Sequence, residues 1–230
     1  MAVLQRDRGV VLSTQDLNET DRLALLLTRK RGKLPVLMKR ARRLESPFGA
    51  IVDVTRHVEL IYYLRSGPYL LREADLLERF VRVEGDLGVL EKALKGLAFV
   101  RDLLPERAPE PGLYELTLDF LRALEAGVAP GVALISYELK SLSLLGHRPH
   151  LEGCVSCGAQ EHLSWSPEKG GLLCRRCGGR GEEIPPPLWR GMRMLLRLSL
   201  DNADRVRLSP QQVREAEGLL RAFRFLHLPS

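Results

Sequence analysis

The chain has 230 residues, 45% of them apolar, which is enough for one large or two small packed domains and is not the composition of a disordered chain. Its net charge of +6 and pI of about 9.3 favour a polyanionic partner over neutral small molecules. Seven of the 35 cations are lysine and 28 are arginine, the side chain better suited to forked phosphate contacts.

The opening MAVLQRDRGVVLS has no apolar core of signal-peptide length. No later run reaches the roughly 18 apolar residues of a membrane helix, so a soluble cytoplasmic protein is expected, with no membrane partner. Cytosolic thiols stay reduced, so the four cysteines are not expected to form disulfides.

The first 75 or so residues read as strands. Gly9 to Ser13 is short and β-branched, Asn18-Glu19-Thr20-Asp21 is turn chemistry, and Arg22 to Thr28 is a buried strand. The chain then enters TRKRGKLPVLMKRARR, Thr28 to Arg43, with eight cations and no acid. The expected shape is a hairpin turning at Gly32, with a second strand over Lys33 to Lys39. Leu34, Val36 and Met38 alternate toward the core, and Pro35, which lacks a ladder donor, implies an edge. Such a charge cluster repels itself and is most easily relieved by a nucleic-acid backbone; the bland alternative is a solvated turn.

Arg40 to Ala50 reads as a loop, with Phe48 as its anchor or as a base-stacking residue. Ile51 to Leu64 reads as one long strand, and Tyr69 to Leu71 follows a Ser-Gly-Pro turn. Five short strands suit a small barrel, closed or half-closed, because it removes exposed edges.

From Glu73 the period becomes helical. Leu76, Phe80, Val83, Leu87, Leu90, Leu94 and Leu97 form one stripe over about six turns, weakened at Gly85 and Gly88. Pro105 to Gly112 is a linker. Helices are expected over about 113–126 and 130–145, the second stopped by Gly146. Pro185 to Pro187 open a helix through Leu188, Met192, Leu195 and Leu196. Ser209-Pro210-Gln211-Gln212 is a capping box that starts the last helix through Val213, Ala216, Leu220 and Phe223.

Between these helices lie Cys154-Val155-Ser156-Cys157-Gly158 and Cys174-Arg175-Arg176-Cys177-Gly178. Two CxxC knuckles, each followed by glycine, predict one tetrahedral Zn²⁺ bound by Cys154, Cys157, Cys174 and Cys177. Four sulfurs close the coordination sphere, so the ion is structural. Leu163 to Trp165 and Leu172 to Leu173 would be the ribbon's strands.

The fold class is therefore α+β: a five-stranded barrel, then an all-α domain with an inserted four-cysteine zinc ribbon. In this order the parts resemble the bacterial recombination-mediator and DNA-repair family RecO. The matching residues are Gly9-Val10-Val11-Leu12, Asn18-Glu19-Thr20-Asp21-Arg22-Leu23, Thr28 to Leu34, Ala41-Arg42-Arg43, and Tyr137-Glu138-Leu139-Lys140 leading through Leu144-Leu145-Gly146 to Cys154. The resemblance implies that the barrel, residues 1–76, is an OB-fold nucleic-acid-binding domain. Residues 77–150 then begin the helical domain, 151–184 form the ribbon and 185–230 the closing helices.

The resemblance further implies binding of single- and double-stranded DNA, annealing of complementary strands, contact with the RecR ring and with the acidic C-terminal tail of single-strand-binding protein, indirect help in loading RecA, and nucleoid association during repair. Lys33, Lys39, Arg40, Arg42 and Arg43 are the expected phosphate contacts, with Arg29, Lys30 and Arg31 secondary. Met38-Lys39-Arg40 departs from the small residues and glycine common in relatives. The alternative function is a zinc-ribbon adaptor that captures an acidic partner tail. An enzyme is not expected: GxxxxGK[ST], HExxH and GxSxG are all absent, and His57, His147, His150, His162 and His227 are scattered.

Overall fold

The structure, a computed structural model, describes residues 4–64 and 68–227. The chain divides into two compact units, one running to Glu125 and the other starting at Ala126.

The first unit begins with strands β1 (Leu4–Asp16), β2 (Arg22–Thr28) and β3 (Gly32–Met38), a helical turn α1 (Pro47–Ile51), and strands β4 (His57–Tyr63) and β5 (Tyr69–Glu78). The strands close in the order β1-β2-β3-β5-β4, a five-stranded OB-fold barrel. Strand β1 is long because it serves two neighbours. Leu4 to Val10 pair with β4, Gly9 to Asp16 pair with β2, and an irregularity between Val11 and Ser13 bends it. The expected alternation in β3 is present, with Leu34, Val36 and Met38 fully buried beside Ala24, Leu26, Leu60 and Tyr62.

Three expectations need correction. Pro35 does not mark an edge, because β3 closes the barrel through a parallel pairing of Val36 and Leu37 with Tyr69 and Leu70; that pairing starts one residue beyond the proline. Ile51 to Leu64 is not one strand. Pro47 starts the helical turn α1, whose Phe48 and Ile51 cover the barrel core, and β4 begins only at His57. Phe48 thus anchors its loop. The turn before Tyr69 falls partly on Ser66 and Gly67, outside the described residues.

The third correction concerns the change of period. Strand β5 runs to Glu78, well into the expected helix, because Leu71 to Glu78 pair with His57 to Tyr62 of β4. The helical stripe then breaks into α2 (Val81–Gly85) and α3 (Leu87–Leu103), separated by Asp86, whose carboxylate caps α3 at the amides of Gly88 and Val89. Leu76, Leu87 and Leu94 are exposed; the buried face of α3 is Val89, Ala93, Gly96, Leu97 and Val100. Gly96 is small because Phe120 of α4 (Pro111–Glu125) lies against its Cα.

A hydrogen-bonded chain ties the barrel to α4. His57, 6% exposed, meets Tyr114 Oη at 2.7 Å through Nε2 and Glu78 Oε1 at 2.8 Å through Nδ1. Arg122 donates to both oxygens of Glu78, at 2.7 and 2.9 Å. Burial holds the His57 imidazole below its usual value, against the pull of Glu78, and pushes the Tyr114 hydroxyl up to about 12. The Arg122 guanidinium, opposed by burial and helped by His57, keeps Glu78 below the ordinary carboxylate range.

The second unit contains α5 (Pro130–Leu144), a ribbon of β6 (Leu163–Ser166) and β7 (Gly171–Cys174), and helices α6 (Pro186–Arg197) and α7 (Pro210–His227). Helix α5 is buried almost all round. Its Ser136 hydroxyl and Lys140 ammonium donate to the carbonyls of Leu195 and Leu196 at the end of α6, at 3.1 and 3.0 Å. Buried Glu138 faces Arg224 of α7 at 3.6 Å. The capping box forms as expected: Ser209 Oγ accepts from the Gln212 amide and Gln212 Oε1 from the Ser209 amide. Among the described residues no helix is long and apolar enough to cross a membrane.

Unfolded His57 takes a proton near 6.5 that the folded form resists, so the unfolded state binds more protons as pH falls. Stability should therefore decrease as pH drops through 6.5, with a further loss at lower pH as Glu78 protonates. Urea unfolding between about pH 8 and pH 5.5 checks this. The midpoint should fall across that range in the native chain and change less in His57→Gln; equal slopes in the two proteins would refute the assignment.

Candidate nucleic-acid interface and metal centre

The eight cations do not form one patch. Arg29, Lys30 and Arg31 sit in the β2–β3 turn, whereas Lys39, Arg40, Arg42 and Arg43 follow the other end of β3. Seven residues at about 3.3 Å each put the two groups roughly 20 Å apart. Lys33 lies between them, half-buried, and its ammonium donates to the carbonyl of Arg101 at 2.6 Å.

The turn is built tightly. Thr28 Oγ donates to the Gly32 carbonyl and accepts from the Arg31 amide, at 3.0 and 3.2 Å. The Arg29 amide donates to the Arg8 carbonyl at 3.0 Å. Gly32 has φ +70°, and a Cβ there would collide with the carbonyl of Ala108. The connection after α3 runs beside β3, with the Arg107 amide donating to the Lys33 carbonyl at 3.0 Å. Arg29 pairs with Glu115 at 3.2 Å, Lys30 Nζ reaches the Arg6 carbonyl at 3.2 Å, and Arg31 reaches Gln5 at 3.2 Å.

The other group folds back on the β1–β2 loop. Asn18 Oδ1 accepts from the amides of Thr20 and Asp21, and Asp21 Oδ1 accepts from the amide of Arg40, whose φ is +56°. Arg42 donates to the Asn18 carbonyl at 2.7 Å and pairs with Asp16 at 3.2 Å, which it shares with Arg22. The Arg22 and Arg42 guanidinium groups hold Asp16 below the usual carboxylate range, and the Arg40 amide does the same for Asp21. Lys39, Arg40 and Arg43 are exposed, and among the described residues none of their side chains has an ion-pair partner. On an OB-fold barrel this end, with the β1–β2 loop, is one that commonly meets oligonucleotides.

Some contributors were not singled out from the sequence. Arg6 and Arg8 on β1 add two exposed cations near the turn, both facing Glu59, and Asp7 between them is buried. Alternating charge in β1 was the signal, but a single short run of mixed charge is common on solvated strands.

The four cysteines converge. Their sulfurs lie within 4.8 Å of one another, and Cys157 Sγ to Cys174 Sγ is 3.7 Å. A tetrahedral ion with bonds of about 2.3 Å would need sulfurs about 3.8 Å apart, so the donor set fits Zn²⁺. Gly158 and Gly178 adopt φ of +74° and +96°, as the knuckles require. Burial opposes ionisation of Cys154, yet the amides of Cys174, Ser156 and Cys157 bring it down to about 6; sulfur contacts from Cys157 and Cys174 push Cys177 up to about 12. The knuckle amides thus favour thiolate, and a divalent cation would be needed to hold four of them together.

The histidines take other duties. The His150 backbone pairs with Gly170 and Leu172 of the ribbon, His162 meets Glu183, and His227 Nε2 meets the Pro167 carbonyl. His57 is the buried link described above.

Comparison with known proteins agrees with the geometry. The family model described as Recombination protein O N terminal matches residues 1–80, and that described as Recombination protein O C terminal matches residues 92–230. The DNA repair protein RecO of Myxococcus xanthus is 32% identical over 228 residues, covering 96% of this chain and 91% of the relative. Those of Roseiflexus sp. and Nocardioides sp. are 31% and 35% identical, covering 95% and 80% of this chain and 79% of each relative.

Gly32→Ala tests how firmly the basic turn is built. The left-handed φ and the collision with Ala108 should together cost on the order of 2 kcal/mol in urea unfolding, whereas Gly218→Ala, in open space on α7, should cost nothing.

Proposed function

Because the chain belongs to the RecO family of DNA repair proteins, we propose that it is a non-enzymatic recombination mediator that binds single- and double-stranded DNA and anneals complementary strands. The task is to hold two polyanions close enough to pair, which needs charge neutralisation and no bond chemistry. The observation that carries the reading is the loop Lys39 to Arg43: three exposed side chains with no carboxylate within ion-pair distance, on a backbone held by Asp21 at the Arg40 amide and by the Thr20 carbonyl at the Arg42 amide, at the end of the OB-fold barrel that carries the β1–β2 loop. The separated turn Arg29 to Arg31 supplies a second point of attachment, and two such points favour a molecule that bridges strands.

Lys33 is the weakest of the eight, since it is half-buried and its ammonium already donates to a carbonyl at 2.6 Å. Arg42 acts partly by bracing the loop against Asp16, and Lys39, Arg40 and Arg43 carry most of the phosphate binding. Residues 1–76 serve as the DNA-binding domain. Cys154, Cys157, Cys174 and Cys177 would hold a zinc ion, which would brace the ribbon. RecR, the single-strand-binding protein tail and, through them, RecA are the partners that the family resemblance suggests, placing the protein on the nucleoid during repair.

Two measurements test this. Fluorescence anisotropy with an oligothymidylate should give a slope of log K against log salt near −3.5, from about five neutralised phosphates at roughly 0.7 each. Lys39→Glu, Arg40→Glu and Arg43→Glu together should lower affinity at least about tenfold and slow strand annealing in the presence of single-strand-binding protein. A flat salt response, or native annealing by the triple variant, would sink the proposal. Separately, a mercurial reagent should release one zinc per chain and melt the ribbon's near-ultraviolet dichroism. Release of no zinc would refute the metal assignment.

A further inference from the structure

The basic turn rests on a carboxylate that its charge pattern conceals. Asp7, on β1, is 3% exposed. Its Oδ1 accepts from the Arg8 amide at 2.8 Å and from the Lys30 amide at 3.3 Å, and its Oδ2 also lies 3.3 Å from the Lys30 amide. A buried carboxylate is costly unless donors meet it, and here the donors are backbone amides of the turn and of the strand beneath it. Arg6, Arg8, Arg29, Lys30 and Arg31 surround this point in sequence or pairing. The Lys30 amide, which at a turn tip would otherwise face water or an incoming phosphate, is occupied from inside.

We propose that Asp7 is a positioning residue for polyanion binding. It fixes the Arg29 to Arg31 turn from below and fills the anion pocket made by the Arg8 and Lys30 amides, so that phosphate is met by the three side chains and not by the backbone. Truncating or displacing this acidic side chain should weaken the binding of an anion. The proposal rests on the DNA-binding reading of this turn.

Charge and geometry are separable at this position. Asp7→Asn removes the charge and one of the two acceptors of the Lys30 amide but keeps an oxygen at the position of Oδ1, whereas Asp7→Glu keeps the charge and displaces it by a methylene. With an oligothymidylate, Asp7→Asn should bind within about twofold of native, and Asp7→Glu and Asp7→Ala about tenfold more weakly, a difference of about 1.4 kcal/mol. The salt slopes of these two weaker variants should be shallower by about 0.7 for each phosphate they no longer neutralise. Formate, as a small carboxylate, should partly restore Asp7→Ala. Hydrogen exchange should find the Lys30 amide protected in native and Asp7→Asn and open in Asp7→Glu.

Tighter binding by Asp7→Asn with native binding by Asp7→Glu would show that the carboxylate merely repels the ligand, and overturns the proposal; this pair decides even if Asp7→Ala does not fold. Reversal of Arg29, Lys30 and Arg31 to Glu tests the underlying reading. Unchanged affinity there overturns the turn's role and the proposal with it, whereas a loss there beside a tight Asp7→Asn overturns the proposal alone.

Discussion

Like charges crowded on one hairpin repel one another, and the barrel has to hold them apart before anything can bind. It does so with distance and with anchors. Strand β3 divides the cations between its two ends, and each end is tied to β1 or its following loop. At one end the turn backbone is pinned through Asp7, Thr28 and the Arg8 carbonyl. At the other, Asp21 and the Thr20 carbonyl hold the loop backbone while Asp16 takes up one guanidinium. The cost of concentrating cations is met mainly by polar groups directed at backbone and partial charges, which leaves several side chains exposed. That division of labour explains how a chain with 29 acids keeps exposed cations on its barrel.

Much of this was legible from residue order. The alternation Leu34, Val36, Met38 placed the hairpin's inner face, the capping box at Ser209 placed the last helix, and the cysteine spacing placed the knuckles. Where the pattern misled, two periods overlapped. Leu76 fits a strand continuing from Tyr69 and equally a helix leading to Phe80 and Val83, and cross-strand pairing with Val58 decided the matter. The Asp86 cap was the local signal that a new helix begins, but a stripe of leucines outweighed it. Pro47 after Ser46 was a helix start that the loop punctuation around it obscured. Asp7 could not have been found: its burial depends on a turn more than twenty residues away.

In the second unit the resemblance residues Tyr137 to Lys140 acquire a physical reason. Helix α5 is surrounded, so its polar side chains must find partners inside the fold. Lys140 and Ser136 close the last carbonyls of α6, groups a helix end always leaves unsatisfied, and Glu138 faces Arg224 of α7. The burial of Lys140 lowers its pKa without removing its carbonyl partner. These residues form an internal cross-brace. The ribbon's strands are four residues each and have little core of their own, which is the situation in which small modules use a metal.

The hydrogen bond from Lys33 to the carbonyl of Arg101, and that from the Arg107 amide to the Lys33 carbonyl, have a temporal side. Those partners lie about seventy residues downstream, and Gly32 sits against Ala108 in the same connection. A hairpin closes in microseconds, but these long-range bonds await the later chain. During synthesis the cationic turn therefore acquires its last constraints only once α3 and the segment after it have emerged, so that the charged surface matures after the barrel's inner strands have paired.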